Sequence, residues 1–253
     1  ADSNRIKKYS NKIQDILGCN LIFLTITDDE ISKTALDIST LADDFSGKIF
    51  IHLSGAKTIN ELGVLANKGA STASLHIMQS FPLKNRVNLN NQFAAIEAKQ
   101  DALFRFIRNL AEVLGLRPFR ITSELKIYYH LAGVFASNFL VANSVSINKC
   151  LAKTGITEFP GSDISYPISI ATLNNIKDKG TENALSGPLL RGDILTVKSH
   201  IEAISDPLMK LNYLSSSLSI MEILSGKPGY DVKLFGKIKN MLIDELKKII
   251  SKL

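Results

Sequence analysis

Lys126, His130, Gly133 and Ser137 recur four, three and four residues apart in LKIYYHLAGVFASN, residues 125–138. On a helix they fall within roughly 60° of one another, with Asn138 on the flank and Ser144 continuing the line. The rest of the circumference is Ile127, Leu131, Val134, Phe135, Phe139 and Leu140. A helix apolar nearly all round is normally buried, and a polar line on it needs partners. Either the line is the wet face of the helix, or it faces a cleft. In a cleft, an amine and an imidazole one turn apart suit general-acid work. Lys126 and His130 are therefore catalytic candidates, and Ser137 a substrate contact.

The four histidines, His52, His76, His130 and His200, show no zinc-type spacing and no accompanying acidic cluster, so no metal site is expected. The chain contains neither a Gly-x-Ser-x-Gly elbow nor a phosphate loop. Two cysteines, Cys19 and Cys150, make no disulfide framework. With no secretory pattern at the start, they suit a reducing cytoplasmic setting. The apolar run Leu131–Ala142 is broken by Ser137 and Asn138 and reads as too short to span a bilayer, so no membrane is expected. A net charge of +6 raises nucleic acid as a partner. The densest lysines (Lys233, Lys237, Lys239, Lys247, Lys248, Lys252) lie on an amphipathic helix, however, which reads as a solvated face.

The elements that must position these groups change character along the chain. An opening helical pattern (Ile6, Tyr9, Ile13, Ile16, Leu17) precedes a region of alternating types. The runs NLIFLTIT, KIFIHL, STASLHI, QFAAIEA and RPFRIT read as strands, with helices at 28–42, 58–68 and 100–115 between them. Unbroken apolar strands linked by helices indicate a largely parallel sheet covered on both faces. After Thr122 the pattern is helical throughout, at 123–154, 167–178, 193–204, 207–224 and 231–253. We expect an α/β unit over 1–122 and an all-α unit over 123–253. Open parallel sheets bind ligands beyond the carboxyl ends of their strands. That rule selects Thr25, Thr27 and Asp28, then His52, Ser54 and Gly55, then His76 as cofactor contacts, with Gln79 facing substrate. Asp28 also reads as a helix N-cap. In SGPLLRGD, Gly187 and Pro188 read as a turn and Asp193 as an N-cap. Arg191 either satisfies turn carbonyls or grips a substrate carboxylate or phosphate in a bidentate pair.

Three ordered segments, IHLSGAKTINELGVLANKGASTASLHIMQSFP, KIYYHLAGVFASNFLVAN and ALSGPLLRGDILTVKSH, carry a resemblance across essentially the whole chain. They resemble the Rossmann-like proteins with a C-terminal domain of unknown function. Those are relatives of deazaflavin-dependent NADP oxidoreductases, ketopantoate reductase, pyrroline-5-carboxylate reductase and 6-phosphogluconate dehydrogenase. The resemblance implies a Rossmann-type sheet, a helical domain of the 6-phosphogluconate dehydrogenase type that makes a homodimer, NADP as cofactor with NAD not excluded, and hydride transfer to or from a small carbonyl or imine substrate. On that reading Lys126 and His130 donate to the substrate heteroatom as hydride adds to carbon. The resemblance adds Asn138 as a catalytic candidate, since lysine and asparagine recur on the equivalent helix of the related dehydrogenases. The family opens on a strand, a Gly-x-Gly-x-x-Gly turn and a helix. No such turn occurs here, and the resemblance places Ala1 just after the second strand, as expected of a fragment. The competing reading is a non-catalytic dimeric nucleotide-binding or regulatory protein.

Overall fold

Short apolar runs become strands here because the sheet buries its central strands on both faces. The computed structural model describes residues 9–82, 87–227 and 229–251. Its β1 (Leu21–Leu24), β2 (Ile49–His52), β3 (Ser71–Ile77), β4 (Phe93–Ala98) and β5 (Arg117–Arg120) form one sheet in the order β1-β2-β3-β4-β5. All five expected strands are present. Three pairings are parallel, but β3 and β4 run antiparallel, with Leu75 opposite Ile96. The sheet is thus mixed. A parallel pairing there would need a crossover helix, and the described part of the 78–92 connection contains none.

Alternation along β2 shows why both faces are covered. Phe50 packs on one side with Ile22, Leu24 and Phe45 beneath α1 (Ile31–Ser39), which buries Ile31, Ala35 and Ile38. Its neighbour Ile51 packs on the other side with Leu75 and Ile96 against Leu103, Ile107 and Ala111 of α3 (Asp101–Val113). The short α2 (Gly63–Ala66) follows a 3-10 turn whose start is capped by Thr58, accepting from the Asn60 N–H. Asp28 does not cap: the helical start it was expected to hold is a 3-10 turn, Asp28–Glu30, with no side-chain cap bond. Of the expected opening helix, Ile13–Gly18 is a 3-10 segment, while Ile6 lies outside the described residues.

The chain divides into two compact units, Ala1–Phe139 and Leu140–Leu253. The expected helix over 123–154 is interrupted at Ser137 into α4 (Ser123–Ala136) and α5 (Asn138–Thr154). Placed with the helical half from sequence, α4 instead belongs with the sheet, and one side chain shows why. Lys126 is only 1% exposed, and its Nζ lies 3.3 Å from Glu97 Oε2, an acid only 3% exposed on β4. The same ammonium donates to Ser54 O at 3.1 Å and Ser74 Oγ at 2.7 Å, so all three donors are used. Glu97 in turn accepts from Ile59 N, Ser74 Oγ and Ser123 Oγ. Burial pulls the Lys126 ammonium below its ordinary pKa while Glu97 pulls it back up. The sequence-based expectation of a lysine open to a cleft is corrected: it is pinned beneath the strand ends. The side expected to be buried is the open one, with Phe135 59% exposed.

The described elements of the second unit are all helices. The unit holds most of α5, then α6 (Gly161–Ala184), α7 (Ile194–Ala203), α8 (Pro207–Ser225) and α9 (Val232–Ile250). Asp193, Asp206 and Asp231 each accept first-turn N–H groups at the starts of the last three helices, the first as expected. α6 is broken at Gly180, whose φ of 76° a side chain would strain. The core joins Val197, Ile201, Leu214, Met221, Ile238 and Leu242, all from α7 to α9. By length and composition the stretch Ser123–Thr154 is long and apolar enough to cross a bilayer, against the expectation that no run is. Its first turn, however, is locked to the sheet through Lys126.

His52 closes the β2 end. It is fully buried, with Nδ1 accepting from Ser54 N at 3.2 Å and Nε2 facing Thr58 O at 3.1 Å. Both bonds together select the neutral ring with its proton on Nε2. Expected from sequence to touch a cofactor, His52 has both ring nitrogens engaged within its own loop instead. Burial, and then the charge of Lys126, lower its pKa to about 4.

Two outcomes follow for stability. Lys126→Ala strands a buried carboxylate and should cost about 3–5 kcal/mol in urea unfolding. Replacing both charges, Lys126→Met with Glu97→Gln, should cost less than Lys126→Ala alone; a single-variant loss under about 1 kcal/mol would refute the pinning role. An imidazole whose folded pKa is depressed binds fewer protons folded than unfolded. Its contribution is therefore intact above about pH 6.5 and is lost as pH falls toward 4. The His52 share of that loss between pH 7 and pH 5 should be about 2 kcal/mol. Unfolding of His52→Gln at both pH values should show a correspondingly flatter dependence.

Candidate functional site at the strand ends

Beyond the carboxyl end of β2 the chain turns on Ser54. Its hydroxyl donates to Asp28 Oδ2 at 2.7 Å and accepts from Ala56 N at 3.2 Å and Lys57 N at 2.9 Å. Its carbonyl is held by Lys126. These bonds fix Gly55 against two imidazoles. A Cβ placed on Gly55 would lie 2.7 Å from His130 Nδ1 and 2.7 Å from His76 Nε2, so no side chain fits without moving both rings. Glycine is required there for space, since its φ is ordinary.

His76 ends β3, and His130 sits one turn along α4 from Lys126. Their ring centroids are 6.0 Å apart at 71°. Tyr129 packs edge-on against His76 at 5.4 Å, its hydroxyl donating weakly to His76 O at 3.4 Å. Burial pushes the Tyr129 phenol up to about 12, so it stays protonated. Desolvation, then His130 and Lys126, lower His76 to about 4, so this ring is neutral at pH 7. A neutral imidazole offers one donor and one acceptor. His76 Nδ1 is nonetheless buried with no hydrogen-bond partner among the described residues. An orphaned polar atom of that kind costs about 1–3 kcal/mol unless something pairs with it. Chemically, the arrangement is a polar notch at the strand ends, walled by the buried Gly55 and two half-buried imidazoles, with one buried ring nitrogen left unpaired.

The structure brings Asp28, Ser54, Gly55, His76 and His130 together and leaves other candidates apart. Thr25 and Thr27 are exposed past β1. The Gln79 side-chain carbonyl accepts from Ser80 N at 2.8 Å. Ser137 and Asn138 occupy the α4–α5 junction, where the Ser137 N–H still reaches Gly133 O at 3.0 Å. Arg191 is exposed in the turn before α7, in the second unit. Sequence reasoning missed Glu97, Ser74 and Tyr129. Glu97 carried a readable signal, a single acid inside the apolar run QFAAIEA, since a charge in a doubly covered strand must find a partner.

Residues 92–220 match the family described as Domain of unknown function (DUF2520). No curated protein matches the chain. Among solved structures, a protein of Bacteroides fragilis designated an NADP oxidoreductase is similar at 22% identity and TM-score 0.70, over 85% of this chain and 80% of that one. Protein TM1727 from Thermotoga maritima is similar at 23% identity and TM-score 0.57, over 89% and 78%. A reductive aminase from Aspergillus terreus, in complex with NADPH and ethyl-5-oxohexanoate, is similar at 12% identity and TM-score 0.53, over 94% and 78%. At these identities the likeness is one of fold, a Rossmann-like sheet followed by a helical domain. The family match covers just over half of the 253 residues, and the protein belongs to the DUF2520 family.

Proposed function

We propose that the protein is an NADP-dependent oxidoreductase acting on a small carbonyl or imine compound. The observation that carries this reading is the notch of Gly55, His76 and His130, at the sheet edge where α/β folds take their ligands. The fold shared with an NADP oxidoreductase and an NADPH-bound reductive aminase supports it. The orphaned His76 Nδ1 and the exposed end of β1 fit a polar cofactor. Thr25, Thr27 and the Ser54–Gly55 turn would hold it, and His76 would meet its polar edge. Bound NADPH supplies the hydride. His130 gives a proton to the substrate oxygen or nitrogen, while neutral His76 accepts or donates one hydrogen bond without adding charge. Lys126 positions Ser54 and hence Gly55, and so acts on the notch through the backbone. A reducing cytoplasm suits the two exposed thiols, Cys19 and Cys150.

In this reading the protein works as a homodimer built on the helical unit. α6 contributes nothing to that unit's buried core, yet exposes Ile164, Tyr166, Ile168, Ile170, Leu173 and Ile176. Apolar side chains exposed all round a helix favour a protein partner over water.

NADPH should bind the chain in a calorimetric titration more tightly than NADH. His130→Ala should cut turnover of small ketones or cyclic imines by about two to four orders of magnitude, with NADPH affinity nearly unchanged. Absence of NADPH binding would sink the reading, and binding without turnover of any carbonyl or imine would favour a nucleotide-binding regulator. Sedimentation at micromolar concentration should give a dimer, and Ile168→Asp with Leu173→Asp should give a folded monomer. A wild-type monomer would remove the dimer from the proposal.

A further inference from the structure

A cavity of about 500 Å³ opens inside the helical unit, between α5, the turn at 186–189, α7 and α8. That volume falls within the range of small-molecule pockets, roughly 300–1,000 Å³. Its wall holds no Asp, Glu, Lys or Arg. The neighbouring cation on α5, Lys149, is already paired with Asp206 at 2.5 Å. A charged guest would leave water without a counter-charge to meet it, so ionic ligands are disfavoured. The polar part of the wall is already ordered. The Tyr213 hydroxyl lies 3.1 Å from His200 Nδ1, the two rings meeting edge to face at 5.8 Å. On α8 beside Tyr213, Asn212 Nδ2 reaches Ser146 Oγ at 3.5 Å, a long bond that a guest could better. Burial holds the Tyr213 phenol above its ordinary pKa, which keeps it a neutral donor. The remaining wall is aliphatic, including Ile147, Leu151, Leu189 and Ile220.

We infer that this cavity is a binding site for a neutral, mostly apolar small molecule bearing one hydroxyl or carbonyl group, which hydrogen-bonds to Tyr213. The aliphatic wall takes up the body of the guest, and the tyrosine–histidine pair fixes its polar end. Apolar pockets with a few convergent polar groups recognise their ligands in this way. Every residue of the site lies in the helical unit, so it does not depend on the strand-end notch or on cofactor binding.

The probe is Prodan, a neutral naphthalene ketone whose emission shifts to the blue in apolar surroundings. Its anionic counterpart, 1-anilinonaphthalene-8-sulfonate, is the charged control. One Prodan per chain should bind saturably, and the sulfonate should not displace it. Tyr213→Phe should weaken binding a few-fold, as expected for one lost hydrogen bond. Ser216→Trp, at an exposed position of the wall, should fill the opening and weaken it by at least about tenfold. Should that variant fail to fold, Cys150, an exposed thiol in the same wall, provides the second measurement. Prodan should slow its alkylation by N-ethylmaleimide without slowing that of Cys19, as read by peptide mass. Absence of saturable binding would overturn the inference. So would equal displacement by the sulfonate, or binding that leaves Cys150 unprotected and is indifferent to both substitutions, since these indicate adsorption to exposed helix faces or a cavity closed by a second copy.

Discussion

The ion pair between Lys126 and Glu97 is the contact on which the rest of the α/β unit depends. It joins four elements at one point: the Ser54 turn after β2, Ser74 on β3, Glu97 on β4 and the start of α4. A charge taken out of water costs several kcal/mol, and this one is tolerated because every donor on the ammonium and both carboxylate oxygens are occupied. That condition makes the cluster exacting. If one strand slipped in register, the carboxylate would turn to the other face and leave the lysine stranded. The pair therefore specifies register and the seating of α4 at once. His130, one turn further on, is delivered to Gly55 as a consequence.

Around that cluster the protein keeps two imidazoles neutral. His52 is held neutral by burial and by its two loop bonds, His76 by desolvation and by His130 and Lys126 beside it. The two do different things. His52 spends both ring nitrogens on shaping the turn, whereas His76 leaves Nδ1 free of any described partner. A buried polar atom that the fold does not satisfy is a cost the native state carries, and such costs collect where ligands bind. Gly55 gives the same indication from the backbone side, since its missing side chain is what lets two rings approach the turn.

The helical unit follows a different logic. α7, α8 and α9 build a closed core of aliphatic residues behind three aspartate caps, while α5 and α6 contribute no buried side chain to it. Apolar helices that find no core within their own chain are suited to a partner. The capped, packed helices meanwhile leave a mostly aliphatic cavity beside α5 in which the tyrosine–histidine pair is a directional group.

Much of this was legible in the sequence. The five strands, the switch from mixed α/β to all-helical pattern, the Asp193 cap and the grouping of Ser54, Gly55, His76 and Asp28 at strand ends all follow from periodicity and turn chemistry, because these are local rules. The 3.6-residue period also put Lys126 and His130 on one line. It could not say whether that line faced water or protein, since the period of a helix sets which residues share a face but not what the face meets. Tertiary structure decided this, by setting Glu97, Ser74 and the Ser54 carbonyl opposite the lysine and so burying one end of the line while leaving Phe135 in the open. The antiparallel β3–β4 pairing and the approach of His130 to Gly55, across 75 residues of chain, were decided in the same way. Pairing direction and long-range contact are properties of how elements meet, and no single element's sequence contains them.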